Sequence, residues 1–467
     1  MLVLQTAQVG AHGATLSAGG GPRHPQFTGP RYSAGVTAST PLARRLGLGD
    51  AVFIGLGAMI GAGVFSAFAP AAAAAGAGLL VGLAIAAVVA YCNATSSAQL
   101  AAVYPAAGGT YVYGRERLGP WWGFAAGWSF VIGKTASCAA MALTFAAYAV
   151  PDAWGRPVAA AAVAALVLVN SFGVTRTAFV ARVIVVAVLA VLAIVVASGL
   201  WGGGADAAAT AVTAVTSDGA SGAAVGAASV TVYGVLQAAG LLFFAFAGYA
   251  RIATMGEEVR DPARTIPRAI GIAFGVAVVV YAAIGVTALA ALGPAGLASA
   301  SDPLASAVVA NGWAWAVPVV TVGAALASLG ALLALIAGVG RTTLAMAREG
   351  DLPRWLSAVH PRYSVPRRAE FVLGAIVVVL VLTVDLRGAI GFSSFGVLLY
   401  YFVANTAALT QPREHRRYWR PLPVLGAIGC LVLVVTLPPV AIVVGVGVLA
   451  VGVVVRLVAR RLARRAG

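Results

Sequence analysis

Gly55-Leu-Gly-Ala-Met-Ile-Gly-Ala-Gly63-Val-Phe65 lies in the first long apolar run of the sequence, and Leu241-Leu-Phe-Phe-Ala-Phe-Ala-Gly248-Tyr-Ala-Arg251 lies in the sixth. The first stretch places glycines at 55, 57, 61 and 63 around the middle of a segment long enough to cross a bilayer, and each glycine disfavours helix by about 1 kcal/mol relative to alanine. A break in the helix is expected there. Unwound backbone is tolerated at membrane depth only where it lines a cavity, and interruptions at matching places in two halves of a chain point to a transporter's binding site. Small residues spaced by four also let membrane helices touch. Close packing gives no reason, however, for a second irregular segment five spans later.

The surrounding chain is made for lipid. Of 467 residues, 61% are apolar and 9% are Asp, Glu, Lys or Arg, far below the share near 25% of a soluble globular protein. A polar tail of about 45 residues and a basic end of about 10 leave roughly 410, enough for twelve crossings at about 34 residues each with their connections. The spans are expected at 50–69, 77–101, 121–150, 157–174, 178–200, 231–256, 266–292, 313–346, 369–386, 388–410, 421–437 and 438–458. Residues 1–45 are rich in Gly, Ala, Ser, Thr and Pro without a signal-peptide pattern, and are expected to be disordered.

The formal charge of +16 invites a nucleic-acid reading, which the distribution of arginine excludes. The two tails, every second connection and the span ends beside them carry 27 of the 29 Arg, leaving only Arg156 and Arg387 on the other side. The positive-inside rule then puts both termini, including the basic tail 459–467, in the cytoplasm. Cys92, Cys138 and Cys430 lie in or beside apolar spans and suggest neither a disulfide framework nor a metal site. His12, His24, His360 and His415 lie in the tail or cytoplasmic connections, so none is expected to bind a metal or carry a proton inside the membrane.

An amino acid supplies what two interrupted helices lack. Its carboxylate can accept from the free N–H groups of Gly61, Ala62 and Gly63 at the start of a half-helix. Its ammonium can donate to carbonyls at Met59 and Ile60 on one side and at Phe244, Ala245 and Ala247 on the other. Phe244, Phe246 and Tyr249 read either as core aromatics or as walls of the cavity, with Phe246 as its gate, and Gly248 belongs to the same segment.

Three motifs in this order resemble the amino acid-polyamine-organocation transporters: Gly57 to Phe65, Tyr104-Pro-Ala-Ala-Gly-Gly-Thr-Tyr111, and Gly256-Glu-Glu-Val-Arg-Asp-Pro-Ala-Arg-Thr-Ile-Pro267. The resemblance runs from about Leu46 to about Arg420. It implies an all-α integral membrane protein of the LeuT type, with inverted five-helix repeats at 46–200 and 231–410 and two further helices at 411–458. It also implies alternating access around a central site at Met59 to Gly63 and Phe244 to Ala247.

The chain departs from that pattern at its charges. Lys134, the only lysine, falls near the middle of span 3, where a charge costs at least about 2.5–3.5 kcal/mol. Three roles stand open: titration during transport, a permanent ammonium where sodium-coupled relatives hold a cation, or a structural bond to broken-helix carbonyls. The lysine that several relatives carry in span 5 is replaced by Val188. Arg251 stands near the position where cation-selective relatives have Asp, which argues for a neutral or acidic substrate, unless Arg251 only faces a cytoplasmic vestibule. Glu257 and Glu258 are candidates for a cytoplasmic gate with Arg115, Arg117, Arg341 or Arg348. The stretch Arg341 to Arg368 reads as a surface loop with a short helix that touches anionic lipid.

Gly47-Leu-Gly-Asp50 matches a short pattern of intramembrane aspartyl proteases, but no second Asp lies at depth to share its proton. Asp50 reads instead as a cap of span 1. No zinc, nucleophile-elbow or phosphate-loop motif is present in the sequence, so an enzyme is not expected. A passive channel would want a continuous polar lining, which the sequence lacks. The expected protein is a multi-pass transporter of the cell membrane without organic cofactor. It is expected to carry a neutral or weakly polar amino acid or a related amine, coupled to protons or by exchange, with no accessory subunit evident.

Overall fold

In the computed structural model, the residues described are 46–104, 108–173, 178–202, 230–255, 258–363 and 365–465. The expected N-terminal tail and Glu257 lie outside them. The helices are α1 (Leu48–Met59), α2 (Ala62–Ser66), α3 (Phe68–Ala75), α4 (Leu79–Val103), α5 (Thr110–Leu118), α6 (Pro120–Ala149), α7 (Asp152–Ser171) and α8 (Ala178–Trp201). They continue with α9 (Val232–Phe246), α10 (Ala250–Ala253), α11 (Pro262–Ser299), α12 (Pro303–Ala310), α13 (Val317–Arg348), α14 (Arg367–Thr383), α15 (Leu386–Leu409), α16 (Pro421–Thr436) and α17 (Pro439–Arg465). Among the described residues there is no strand, only a single bridge between Leu46 and Val259.

Ten helical stretches among the described residues are long and apolar enough to cross a membrane. The expected spans 9 and 11 fall on α14 and α16, with 17 and 16 residues, shorter than a straight crossing of about 20 residues requires. The chain is an all-helical membrane protein.

Helix starts follow local chemistry. Pro120, Pro303 and Pro421 open α6, α12 and α16, where a missing N–H costs nothing. Thr231 caps α9 and Asp385 caps α15 by accepting from Gly234 N and Gly388 N, both at 3.0 Å. Asp50 accepts from Gly47 N at 3.1 Å and pairs with Arg182 at 2.9 Å. That is a cap at the start of α1, as its position in the sequence suggests.

The helices sort into core and rim. Most of the apolar window of α9 and α10 is buried, 78%, against 17% in α7. The central helices α6, α9 and α15 meet α2 to α4, α13 and α16, while α1 packs on α8, α10, α11 and α13. Large apolar side chains such as Val183, Val186, Val279, Ile376, Val435 and Val443 point outward from α8, α11, α14, α16 and α17. In a membrane protein such an exterior faces lipid.

Candidate functional site

Helix α1 stops at Met59. Ile60 (φ −81°, ψ 55°) and Gly61 (φ −100°, ψ −140°) leave helical geometry before α2 starts at Ala62. Among the described hydrogen bonds, Gly61, Ala62 and Gly63 donate to no other backbone carbonyl. The expected break is therefore present, with its N–H groups in the expected place.

The sixth span behaves differently. Helix α9 ends at Phe246, Ala247–Tyr249 form one 3-10 turn, and α10 follows directly with right-handed helical dihedrals at its flanks. The backbone tightens there without unwinding. The physical reason is composition, since this stretch has only Gly248 where span 1 has four glycines.

The two irregular segments touch. A Cβ on Gly63 would lie 2.6 Å from Ala245 Cα, and one on Gly248 would lie 2.2 Å from Ala58 O, closer than atoms can pack. Gly55 likewise admits Ile252. The glycines thus serve both readings: one sets the break, and the others let α2 close on α9, and α1 on Ala247–Tyr249 and α10.

A small void of about 20 Å³ lies between them, lined by Ala58, Met59, Gly61, Ala62, Gly63, Lys134, Ser137, Met141, Phe244, Ala245 and Gly248. That is room for about one water molecule, so the site is closed. Of the residues expected at the site, Met59, Gly61, Ala62, Gly63, Phe244, Ala245, Gly248 and Lys134 line it. Ile60, Phe246, Ala247, Tyr249 and Arg251 do not. Val188 is buried in α8 and is also absent from the lining.

Phe246 is fully buried and packs edge-on against Tyr281, with ring centroids 4.9 Å apart, and against Phe274. Tyr249 lies on Tyr401, 4.9 Å between centroids. Both support the break from behind, and neither faces the void. Arg251 is half-buried on α10, in the fields of Arg341 and Glu258.

Lys134 lies midway along α6, is buried, and donates to Ala247 O at 3.2 Å. One turn further, Ser137 Oγ is 2.6 Å from Ser393 Oγ and fixes α6 to α15. Tyr281, on α11, was not apparent from the sequence. Its hydroxyl lies 2.7 Å from Met59 O and 3.0 Å from Ala245 O. One O–H can donate to only one of these at a time, so this tyrosine joins the two irregular segments and satisfies their carbonyls in turn. Nothing in the run Val278 to Ala283 distinguishes this tyrosine from a core aromatic; only the tertiary contact reveals its use.

Of the expected gate pair, Glu257 lies outside the described residues, and Arg115 and Arg117, expected opposite it, make contacts elsewhere. Arg115 binds Glu349 at 2.8 Å and Asp351 at 3.3 Å, Arg117 binds Thr410, and Glu258 contributes its carbonyl to Leu46 N. Tyr113 donates to Ala253 O at 3.2 Å, and Tyr400 accepts from Thr110 N at 3.1 Å.

Asp351 corrects the reading of the Arg341 to Arg368 stretch as surface loop, because its side chain is wholly buried. It accepts from Arg456 Nε at 2.9 Å and from Tyr111 at 3.0 Å. Burial, with Asp351 alongside, pushes the Tyr111 hydroxyl up and keeps it a donor. Arg456 in turn stacks on Trp121 and Phe124, at 4.1 and 4.6 Å from the ring centroids.

Residues 46–458 match the amino acid permease family. The chain belongs to that family. It is 58% identical over 425 residues to an uncharacterised transporter of Mycobacterium tuberculosis (strain H37Rv), covering 91% of this chain and 93% of that one. It is 25% identical to the branched-chain amino acid permease BcaP of Bacillus subtilis, covering 88% and 91%. It is 26% identical to the chloroplastic cationic amino acid transporter 7 of Arabidopsis thaliana, covering 81% and 67%. The family is one of transporters, in line with the motifs read from the sequence.

Proposed function

We propose that this permease is a secondary transporter that moves a neutral amino acid across the cytoplasmic membrane by alternating access. Both termini lie in the cytoplasm, and 46–200 and 231–410 form the two inverted repeats of a LeuT-type fold. The observation that carries the substrate reading is the void where the two irregular segments meet. Its lining offers main-chain donors on Gly61, Ala62 and Gly63, main-chain carbonyls on the other side, one ammonium, and no carboxylate among the described residues.

The zwitterion's carboxylate sits on the donors and its ammonium on the carbonyls of the Met59 and Phe244 to Ala247 segments. A cationic side chain would meet Lys134 without any counter-charge, which favours a neutral substrate, such as the branched-chain amino acids in the Bacillus subtilis relative's name, over the cationic class named in Arabidopsis thaliana. Lys134 couples transport to protons by giving up its proton while it releases Ala247 O. A second reading, exchange without ion coupling, is favoured by that same bond if it is permanent.

Uptake of the 20 amino acids into proteoliposomes, with and without proton and sodium gradients, tests this. Saturable uptake of one or more neutral amino acids, accelerated by a proton gradient, is expected. Preference for lysine or arginine would refute the substrate class, and gradient-independent exchange would favour the second reading.

A further inference from the structure

Glu370 lies one turn into α14, and its side chain is 2% exposed. Among the described residues its carboxyl group forms no ion pair, and Oε2 is buried without a hydrogen-bond partner. The residue is pressed against α13, where a Cβ on Gly340 would lie 3.0 Å from Glu370 Cγ and 3.6 Å from Oε1. Three positions earlier on the same helix, Arg367 Nε is likewise buried without a partner. The Arg367 guanidinium reaches Ser171 Oγ on α7 at 3.5 Å and lies over the rings of Phe172 and Tyr363, at 5.9 and 5.8 Å from their centroids.

The other ionisable groups come from each element packed on α14. Helix α13 brings Arg341 and Arg348, the 3-10 turn at 354–357 brings Arg354, and Arg368 of α14 itself donates to Trp355 O. His360 stacks on Tyr363. Lys134, Cys138 and Tyr148 lie from the middle to the far end of α6, and Asp152 and Arg156 at the far end of α7. Arg341 lies in the fields of both Glu370 and Arg251, so this turn belongs to the end of the bundle where Glu258 O meets Leu46 N.

A buried carboxylate left unpaired is strongly disfavoured, and residues three apart on a helix are neighbours. An ionised Glu370 would turn to Arg367, whereas a carboxylic acid has no such need. The two side chains stand apart, each with a polar atom to spare. Pairing would draw Arg367 from Ser171, and that change lies close to the centre of the molecule. Asn170, next to Ser171, donates to Leu333 O at 3.0 Å and ties α7 to α13. Two residues before Leu333, Ala331 packs on the break, where a Cβ on Gly61 would lie 2.9 Å from Ala331 Cβ.

We propose that Glu370 is a proton-binding site apart from the central void, through which acid on the Leu46 side holds the void closed. With the proton on the carboxyl group, Arg367 keeps α7 and α14 joined and the break stays packed. When the proton leaves to water, the carboxylate takes Arg367, the Ser171 contact is lost, and α7 and α13 are freed to move. This site is independent of the substrate class and of the role of Lys134.

Exchange of radiolabelled amino acid in proteoliposomes tests it, with any of the 20 that the wild type takes up. The pH is kept equal inside and outside and varied between about pH 5 and about pH 9, the span of buried glutamates. Wild-type exchange should fall about tenfold toward acid pH, since a tenfold preference of the proton for the closed arrangement favours that arrangement by the same factor. Glu370→Gln, uncharged at every pH, should stay at the slow acid rate throughout. Arg367→Gln strips the ionised form of its partner and should move the transition to higher pH, which a merely structural Glu370 would not do. Infrared difference spectra of the full-length protein in nanodiscs over the same range need no transport, and should show a carboxylic-acid C=O band that titrates in the wild type and is missing in Glu370→Gln. A Glu370→Gln profile and spectrum that match the wild type would overturn the proposal. If that variant fails to fold, Arg367→Gln decides alone, and a transition and band that it leaves in place would overturn the proposal equally.

Discussion

The two irregular segments meet at one void but are made differently. At Ile60 and Gly61 the backbone unwinds and three N–H groups stand without backbone acceptors. At Ala247–Tyr249 the helix only tightens, and its carbonyls already have donors, Tyr281 on Ala245 O and Lys134 and Tyr401 on Ala247 O. Main-chain donors can be left for a ligand because the first helix stops. Carbonyls of a tightened helix stay in a buried setting, where an unmade hydrogen bond costs about 1–3 kcal/mol, so side chains cover them. On the proposed reading, the carboxylate's end of the site has unused donors, while the ammonium's end is already bonded and has to change during transport.

The sharpest way to break this comparison is to push the two segments apart. Gly248→Ala and Gly63→Ala each set a methyl group against backbone, and a misplacement of about 1 Å can cost a factor of about 100 in a positioned site. Initial uptake rates at equal membrane expression should fall by at least about that factor. Near-normal rates would mean that the segments do not act together.

Lys134→Met comes next. It removes the donor to Ala247 O and the only cation in the void's lining. Uptake driven by a proton gradient should drop to the rate without a gradient, and uptake that persists unchanged would end the coupling role.

Tyr281→Phe keeps the ring and removes only the hydroxyl. The apparent melting temperature should fall, in keeping with about 1–3 kcal/mol for a bared carbonyl. Stabilisation by bound amino acid should be larger than in the wild type, because the ligand's ammonium then has both carbonyls to itself. Equal stabilisation would leave Tyr281 as packing only.

Gly57→Ala should have the smallest effect. The nearest atom to its Cβ is a Val185 methyl at 3.1 Å, the end of a side chain, and its neighbours remain helical. Uptake should change by less than about twofold, as for a site where small shifts absorb one methyl.

Legibility in the sequence followed the same divide. The unwound segment announced itself through four glycines in nine residues, and Lys134 through being a lone cation at depth. The milder second irregularity has one glycine and is a single 3-10 turn, not the break the sequence suggests. Ser137, Met141 and Tyr281 sit in ordinary apolar runs, and only packing brings them to the void. Asp351 read as part of an exposed loop because its partners, Arg115, Arg456 and Tyr111, lie 105 to 240 residues away. Removing it should be strongly destabilising, since an unpaired buried charge costs about 3–5 kcal/mol.

A structure of the protein with a transported amino acid bound tests the central claim most directly. The account predicts the carboxylate within hydrogen-bonding distance of the Gly61, Ala62 and Gly63 N–H groups, with the ammonium on Met59 O or Ala245 O and the Tyr281 hydroxyl withdrawn from that oxygen. An amino acid seated elsewhere in the helix bundle, with both Tyr281 contacts intact and those three N–H groups unengaged, would contradict it.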